Sequence, residues 1–324
     1  MPVQTIPLTI RERGSDELSL AVAINNAAMP ADLWITEEQL RIQEGLDRPD
    51  EPPLRLIAFA GDKPVAQAFA GRNIFTAEGR CRLGIQVIPE FRRKGIATEL
   101  YQQLTAFARE RNATALRLEI DEHYLPVVQS WLTRERYYEI ERMRPSELRL
   151  DEMDFEAWRS AEDQVEAQGL TLTTMAAEDS EANRRKLWEV SEVVRQHVPH
   201  HGPSDPFPFE QFDDLMNRPE ARPGCLVIAK DGNGYVGFTL LVHQTPERAL
   251  TGLTGVLPEY RSRGLALALK VRCARLAKQA GYTSMRTFNH VNNPAMLKVN
   301  DRLGYTPLPH EILFQKDVEE EKTR

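Results

Sequence analysis

Two short segments of this 324-residue chain combine the residue types that hold an anion: Arg92-Arg93-Lys94-Gly95-Ile96-Ala97 and Arg261-Ser262-Arg263-Gly264-Leu265-Ala266. Each follows a Val-x-Pro strand end, Val87-Ile88-Pro89 and Val256-Leu257-Pro258, and each opens a segment with helical periodicity. A helix start presents unpaired N–H groups and a partial positive charge. Glycine lets a phosphate approach the main chain, and the flanking Arg and Lys side chains add charge and forked hydrogen bonds. A diphosphate is the ligand that this pattern fits. A single Arg-x-x-Gly-x-Ala is equally a basic turn with no ligand; finding it twice in one context favours the ligand.

The elements that must position these loops repeat with them. Val87, Pro89, Glu90, Arg92, Gly95, Ala97 and Leu100 recur as Val256, Pro258, Glu259, Arg261, Gly264, Ala266 and Leu269, which implies a duplicated domain. Ahead of each loop the sequence predicts a hairpin, residues 54–60 with 65–70 and 225–230 with 235–242, and then a third strand, 82–88 and 251–257. Behind it, Ile96, Leu100, Leu104 and Phe107, and likewise Leu265, Leu269, Cys273 and Leu276, predict an amphipathic helix. Short strands at 115–120 and 284–289 follow, and helical stretches precede the hairpins at 16–45, 179–196 and 209–217. A charged helix over 153–168, ending at Gly169, joins the halves. The expectation is an α/β fold of two tandem domains, 1–150 and 169–324 with a connecting helix over 151–168, each a mostly antiparallel twisted sheet flanked by helices.

Composition narrows the function. At 41% hydrophobic and 27% charged the chain is a folded one, and a net charge of −7 argues against coating nucleic acid. Apolar runs fall short of a membrane span, and the N-terminus breaks into Arg11-Glu12-Arg13 before any leader-like segment, so a cytoplasmic protein is expected. Cys81, Cys225 and Cys273 are odd in number and far apart, which gives neither a disulfide framework nor zinc spacing. His197, His200, His201 and Asp205 form a local cluster in a Pro-rich loop, read as acceptor contact or plain surface rather than a metal site. No metal is expected.

The loops, their Val-x-Pro approach and the elements around them resemble the GCN5-related N-acetyltransferase (GNAT) family, whose Q/R-x-x-G-x-G/A signature holds the pyrophosphate of acetyl-CoA. The tandem arrangement is similar to that of mycothiol synthase-like double-GNAT proteins. Gly-x-Gly-x-x-Gly occurs once, at residues 232–237, but there it runs from a hairpin turn into a strand rather than into a helix, and Gly-x-x-x-x-Gly-Lys-Ser/Thr is absent, which disfavours Rossmann and P-loop sites. The resemblance implies that Val87, Ile88, Val256 and Leu257 line the acyl-CoA beside the loops, with a backbone N–H near Val256 facing the thioester oxygen. It also implies that Asn293, in the block Thr287-x-Asn289-x-x-x-Asn293-x-x-Met296-x-x-x-Asn300-x-x-Leu303-Gly304-Tyr305, lies beside the pantetheine arm; a helix N-cap is the competing role. The first half has Leu125 and Leu132 where the second has Asn293 and Asn300, so the second is expected to be the catalytic half.

Acetyl transfer to an amine asks for a base near the acceptor, whose pKa is ~10, and an acid for a thiolate of pKa ~8.5. Relatives place a tyrosine where this chain has Asn300. Tyr305, otherwise a core aromatic, and Asn300 are the candidates beside the sulfur, Tyr260 lies nearby, and His243 and His290 are candidate bases; Glu119 occupies the corresponding first-half strand. The expected activity is acetyl transfer from acetyl-CoA to the primary amine of a small molecule, with no nucleic-acid or membrane partner. The alternatives are an acyl-CoA sensor or scaffold without turnover, and a protein N-terminal or lysine acetyltransferase.

Overall fold

The computed structural model describes residues 8–199 and 207–318, apart from the side chain of Asp32. The first repeat runs β1 (Leu8–Glu12), α1 (Leu18–Ala28), α2 (Glu37–Glu44), β2 (Leu54–Ala60), β3 (Lys63–Gly71), β4 (Arg80–Val87), α3 (Ile96–Glu110), β5 (Ala115–Asp121), α4 (Leu125–Arg134) and β6 (Tyr138–Arg149). After α5 (Arg159–Glu166) the second runs β7 (Leu170–Thr174), α6 (Glu181–Arg195), α7 (Phe209–Met216), β8 (Val227–Asp231), β9 (Gly234–His243), β10 (Arg248–Val256), α8 (Leu265–Gln279), β11 (Ser284–His290), α9 (Pro294–Leu303), β12 (Thr306–Pro307) and β13 (Glu311–Asp317). The joining helix is shorter than its charge pattern suggests. The Asp154 carboxylate accepts from the amides of Glu156 and Ala157, which holds the approach as a turn, and Gly169 follows the helix at φ +79°.

Contacts divide the chain into a first unit, residues up to Ile140 together with those from Ile312 on, and a second from Glu141 to Glu311. In the first unit β1 to β4 are antiparallel neighbours, β5 runs parallel to β4, and β13 lies beside β5. In the second, β7 to β10 are antiparallel, β11 runs parallel to β10, and residues 143–149 of β6 pair with β11. The strand beside the parallel pair therefore comes, in each unit, from the other repeat.

The helical stripes read from the sequence are buried except at Phe107 and Leu276, which are half-buried and pack against the cores. Ile96, Leu100, Leu104 and Ala108 of α3 enter one core with Ile57, Val65 and Leu116, while Leu265, Leu269, Cys273 and Ala277 of α8 enter the other with Val227, Leu241 and Met285. Each leucine or isoleucine among them contributes on the order of 2 kcal/mol by burial. This clamps the start of α3 and of α8 against the strand that precedes it.

Candidate active site

Both basic loops have one conformation. A single 3₁₀ turn, Pro89–Phe91 or Pro258–Tyr260, leads to a non-glycine residue with left-handed backbone, Arg93 at φ 63° or Ser262 at φ 62°. Two residues on, Gly95 and Gly264 stand at φ 85° and 86° as the N-caps of α3 and α8, with open space where a Cβ would be. A left-handed backbone at a side-chain-bearing residue costs ~1 kcal/mol or more, and the chain bears it twice at matching positions. The effect is to turn successive amides into a concave nest at a helix start. Among the described residues, the amides of 93–97 and 262–266 donate to no protein acceptor.

The side chains divide the work. Arg92 Nε donates to Val87 O at 3.0 Å and Arg261 Nε to Val256 O at 3.1 Å, so the first arginine of each loop braces the strand end. Arg92 also donates to Ala28 O on α1 at 2.7 Å. Lys94 lies 4.6 Å from the Phe91 ring and Arg263 5.0 Å from that of Tyr260, whose hydroxyl is tied to Asp231 at 2.7 Å. Both cations stay at the exposed rim, available to phosphate oxygens.

Beside each loop the parallel strands part. Pairing of β4 with β5 ends at Leu83 and Leu118, and that of β10 with β11 at Thr251 and Thr287, although β4 and β10 run on to Val87 and Val256. Ile88 N donates to Val65 O at 3.0 Å and Leu257 N to Val236 O at 2.9 Å. By strand alternation the preceding amides, Val87 and Val256, face the opened gap. Only the second unit adds a bulge here: the β9–β10 register shifts between Thr251 and Thr254, whereas β3 and β4 pair without a shift. Bulges bend a strand and re-aim its groups, and they recur next to active sites.

The interiors behind the two gaps differ most. Thr251, Thr287 and Ser146 lie opposite one another on β10, β11 and β6, on the face that Met285 and Leu148 carry into the core. The matching first-unit residues are Leu83, Leu118 and Phe314, all buried and apolar. In the second unit Ser146 Oγ, Thr251 Oγ1, Lys270 Nζ and Asn300 Oδ1 are buried with no hydrogen-bond partner. Thr251 lies near the Tyr305 phenol without completing a bond to it. Unmet buried groups cost ~1–3 kcal/mol each, so this interior sacrifices stability that the first unit keeps.

The candidate residues do not all gather here. Asn300 is fully buried and donates to Asn289 Oδ1 at 2.5 Å, on the part of β11 beyond its pairing with β10. Asn293 is the N-cap of α9, accepting from Met296 N at 3.2 Å. Tyr305 is a core residue, and burial raises its phenol well above the usual range. His290 ends β11 and accepts from Asn292 N at 3.0 Å. His243 pairs opposite Ala249 at the start of β10 and contacts the Tyr282 hydroxyl at 2.8 Å. That places it about 23 Å along the strand from Val256 at ~3.3 Å per residue, so it is not brought to the loop. In the first unit Glu119 pairs with Arg82 at 3.7 Å. His200, His201 and Asp205 lie outside the described residues, and no metal-holding group of His, Cys, Asp and Glu occurs among those described. Reading the sequence missed the hydroxyl row and Lys270; the signal available was a lysine between Ala266, Cys273 and Ala277 on an otherwise apolar helix face.

On the α1 side the strand ends differ too. Gln67 donates to Gln86 at 2.5 Å, and Gln86 to Asn25 at 2.6 Å, a polar chain from β3 across β4 to α1. In the second unit Gly255 replaces Gln86 and Val194 of α6 covers it so closely that a Cβ would lie 2.1 Å from Val194 Cγ1.

No helix among the described residues is long and apolar enough to cross a membrane. No curated protein matches the sequence significantly. Among solved structures, a GCN5-related N-acetyltransferase from Sphaerobacter thermophilus is 19% identical, with a TM-score of 0.77 over 98% of both chains. A tandem GNAT protein from the clavulanic acid biosynthesis pathway is 16% identical, with a TM-score of 0.74 over 98% of this chain and 100% of that one. A GCN5-related glucosamine N-acetyltransferase region of a fungal multi-domain β-N-acetylglucosaminidase is 13% identical, with a TM-score of 0.75 over 96% of this chain and 38% of that one. The model of the acetyltransferase (GNAT) family matches twice, over residues 16–132 and 187–305. With one such match on each loop, strand end and helix described above, the chain belongs to the GNAT family as a tandem N-acetyltransferase.

Proposed function

We propose that the second unit transfers an acetyl group from acetyl-CoA to a primary amine of a small molecule, and that the first unit holds acyl-CoA without turning it over. The observation that carries the reading is the bulged end of β10, where the Val256 amide faces the gap beside an amide nest with no protein acceptor. The residues present fit the donor. The amides of 262–266 and the rim cation Arg263 suit its diphosphate, and the Val256 N–H suits a carbonyl oxygen that gains charge in the transition state. Holding amine and thioester together supplies further acceleration, with effective molarities of ~10⁵–10⁸ M for well-oriented pairs. Bound acetyl-CoA supplies the acyl group and a thiolate leaving group; the chain supplies orientation and a proton path.

A binding-only first unit is favoured by its apolar interior, where Leu83, Leu118 and Leu132 stand in place of Thr251, Thr287 and Asn300. The test is transfer of label from acetyl-CoA into a panel of primary amines headed by glucosamine, the amino sugar in the fungal neighbour's name. Acceptor-dependent release of CoA thiol is the expected result. Tight acetyl-CoA binding with no transfer to any amine of the panel overturns the enzyme reading in favour of a sensor.

A further inference from the structure

Lys270, in the second turn of α8, is 2% exposed, and its amine has no hydrogen-bond partner. Nζ lies 4.8 Å from the ring of Tyr305. The first unit also sets a lysine over the matching tyrosine, Tyr137, but from a different place in the fold. Lys316 of β13 lies 5.6 Å from the Tyr101 ring and 5.9 Å from the Tyr137 ring, and it donates to the Tyr101 hydroxyl and to Glu135, each at 3.3 Å. The second unit has Lys270 itself where the first has Tyr101, and Leu303 where the first has Glu135. Two non-equivalent lysines thus reach equivalent positions, one with its donors engaged and one bare.

Nothing around Lys270 neutralises it. The thiol of Cys273 and the phenol of Tyr305 face it, and burial raises both, so they are uncharged near neutrality. Glu162 on α5 is held by Arg272 and Arg275, and Asp301 on α9 by Arg144. On the face that β10, β11 and β6 turn into this core, Thr251, Thr287 and Ser146 present hydroxyls, and beyond them Asn289 is bonded to Asn300 and Arg144 to Asp301. Burial pushes the amine down to about 8, so its neutral form is present at physiological pH. The hydroxyl row stands at the last paired rung of β10 and β11, where the gap opens.

We propose that Lys270 is the proton carrier for acyl transfer in the second unit, acting through Tyr305 and the hydroxyl row at the apex of the gap. This rests on the second unit being the site of transfer. When the acceptor nitrogen bonds to the acyl carbon it sheds a proton, which reaches the neutral amine once the Thr251 and Tyr305 hydroxyls, unjoined in this structure, close hydrogen bonds between the gap and Nζ. When the carbon–sulfur bond breaks, the ammonium returns that proton to the departing sulfur. One C–N bond forms, one C–S bond breaks, and the lysine ends as it began. The missing tyrosine at Asn300 is thereby replaced from behind.

The test compares the full chain with Lys270→Met, which fills similar space without charge, and with Lys270→Arg, which stays charged. Calorimetric binding of acetyl-CoA should change by less than about twofold, while kcat with an amine from the panel falls about 100-fold in both variants, the scale of general acid–base catalysis. The wild-type kcat should rise with pH through the amine's ionisation, and Lys270→Met should lose that limb. Turnover within about threefold of wild type, or an unchanged pH limb, overturns the proposal. An acceptor-free measurement stands beside it: in Nζ-labelled protein, the lysine resonance missing from Lys270→Met should titrate well below the others. If it titrates with the surface lysines, the proposal falls whatever the kinetics show. Failure of the wild-type chain to bind acetyl-CoA or to acetylate any amine breaks the functional reading instead.

Discussion

The two units share a backbone and differ in what fills it. Both bend the same loop through left-handed residues, both open their parallel strands at the same rung, and both brace the strand end with an arginine. Behind that common frame the first unit packs Leu83, Leu118 and Phe314, and the second Thr251, Thr287 and Ser146. The difference teaches that holding a cofactor and using it make separate demands. On the reading proposed above, a nest of amides needs only backbone geometry, which duplication preserves, whereas chemistry needs buried polar groups that lower stability and that the first unit leaves out.

The largest effect that would sharpen this contrast comes from bulk on the loops. Gly264→Trp forces a side chain onto a backbone at φ 86° in the middle of the nest, and should lower turnover at least about 100-fold while removing one acetyl-CoA equivalent by calorimetry. Gly95→Trp should remove the other equivalent at a cost of less than about tenfold in turnover; the reverse pattern would move catalysis to the first unit. Next comes Gly255→Gln, which gives the second unit the first unit's residue. With Val194 Cγ1 only 2.1 Å from the new Cβ, unfolding should become easier by about 3 kcal/mol in urea titrations.

Lys270→Met should act in the other direction. The amine's folded value of about 8 lies below its ordinary 10.5, so the wild-type chain carries its full deficit below pH 8 and loses it as pH rises toward 10.5. The variant should therefore be more stable by roughly 3 kcal/mol at pH 7, with the advantage fading between those two values. Equal stability across the range would place the amine in contact with water. The smallest expected effect is that of Thr251→Val, which removes an unmet hydroxyl at nearly constant volume and should stabilise by about 1 kcal/mol in thermal unfolding, with a several-fold loss of turnover.

Much of this was legible in the residues, for reasons that differ from place to place. The loops declared themselves because Gly95 and Gly264 occupy positions that demand φ near 85°, and because the apolar steps after them have one helical solution. The route of the last strands was not legible. β6 and β13 alternate in the same way and either would suit the slot beside a parallel pair, so local pattern cannot say which repeat each completes. His243 ends β9 as its place in the sequence suggests, but which end of the sheet that is depends on the antiparallel return, which sets it opposite Ala249. Asn293 could be read as ligand contact or cap, and its Oδ1 takes the capping role by accepting from Met296 N. Lys270 escaped notice since lysine on a helix is normally solvated, and only tertiary packing reveals that this one is not.

The exchange of strands has a consequence for biosynthesis. Because the first unit is finished by β13, which follows the whole of the second repeat, it lacks a member of its sheet until that repeat has left the ribosome. The usual order, in which the leading domain settles while the trailing one is still being made, is unavailable to it. A nascent chain halted between the repeats would present β5 with a bare edge, open to pairing with whatever strand arrives first.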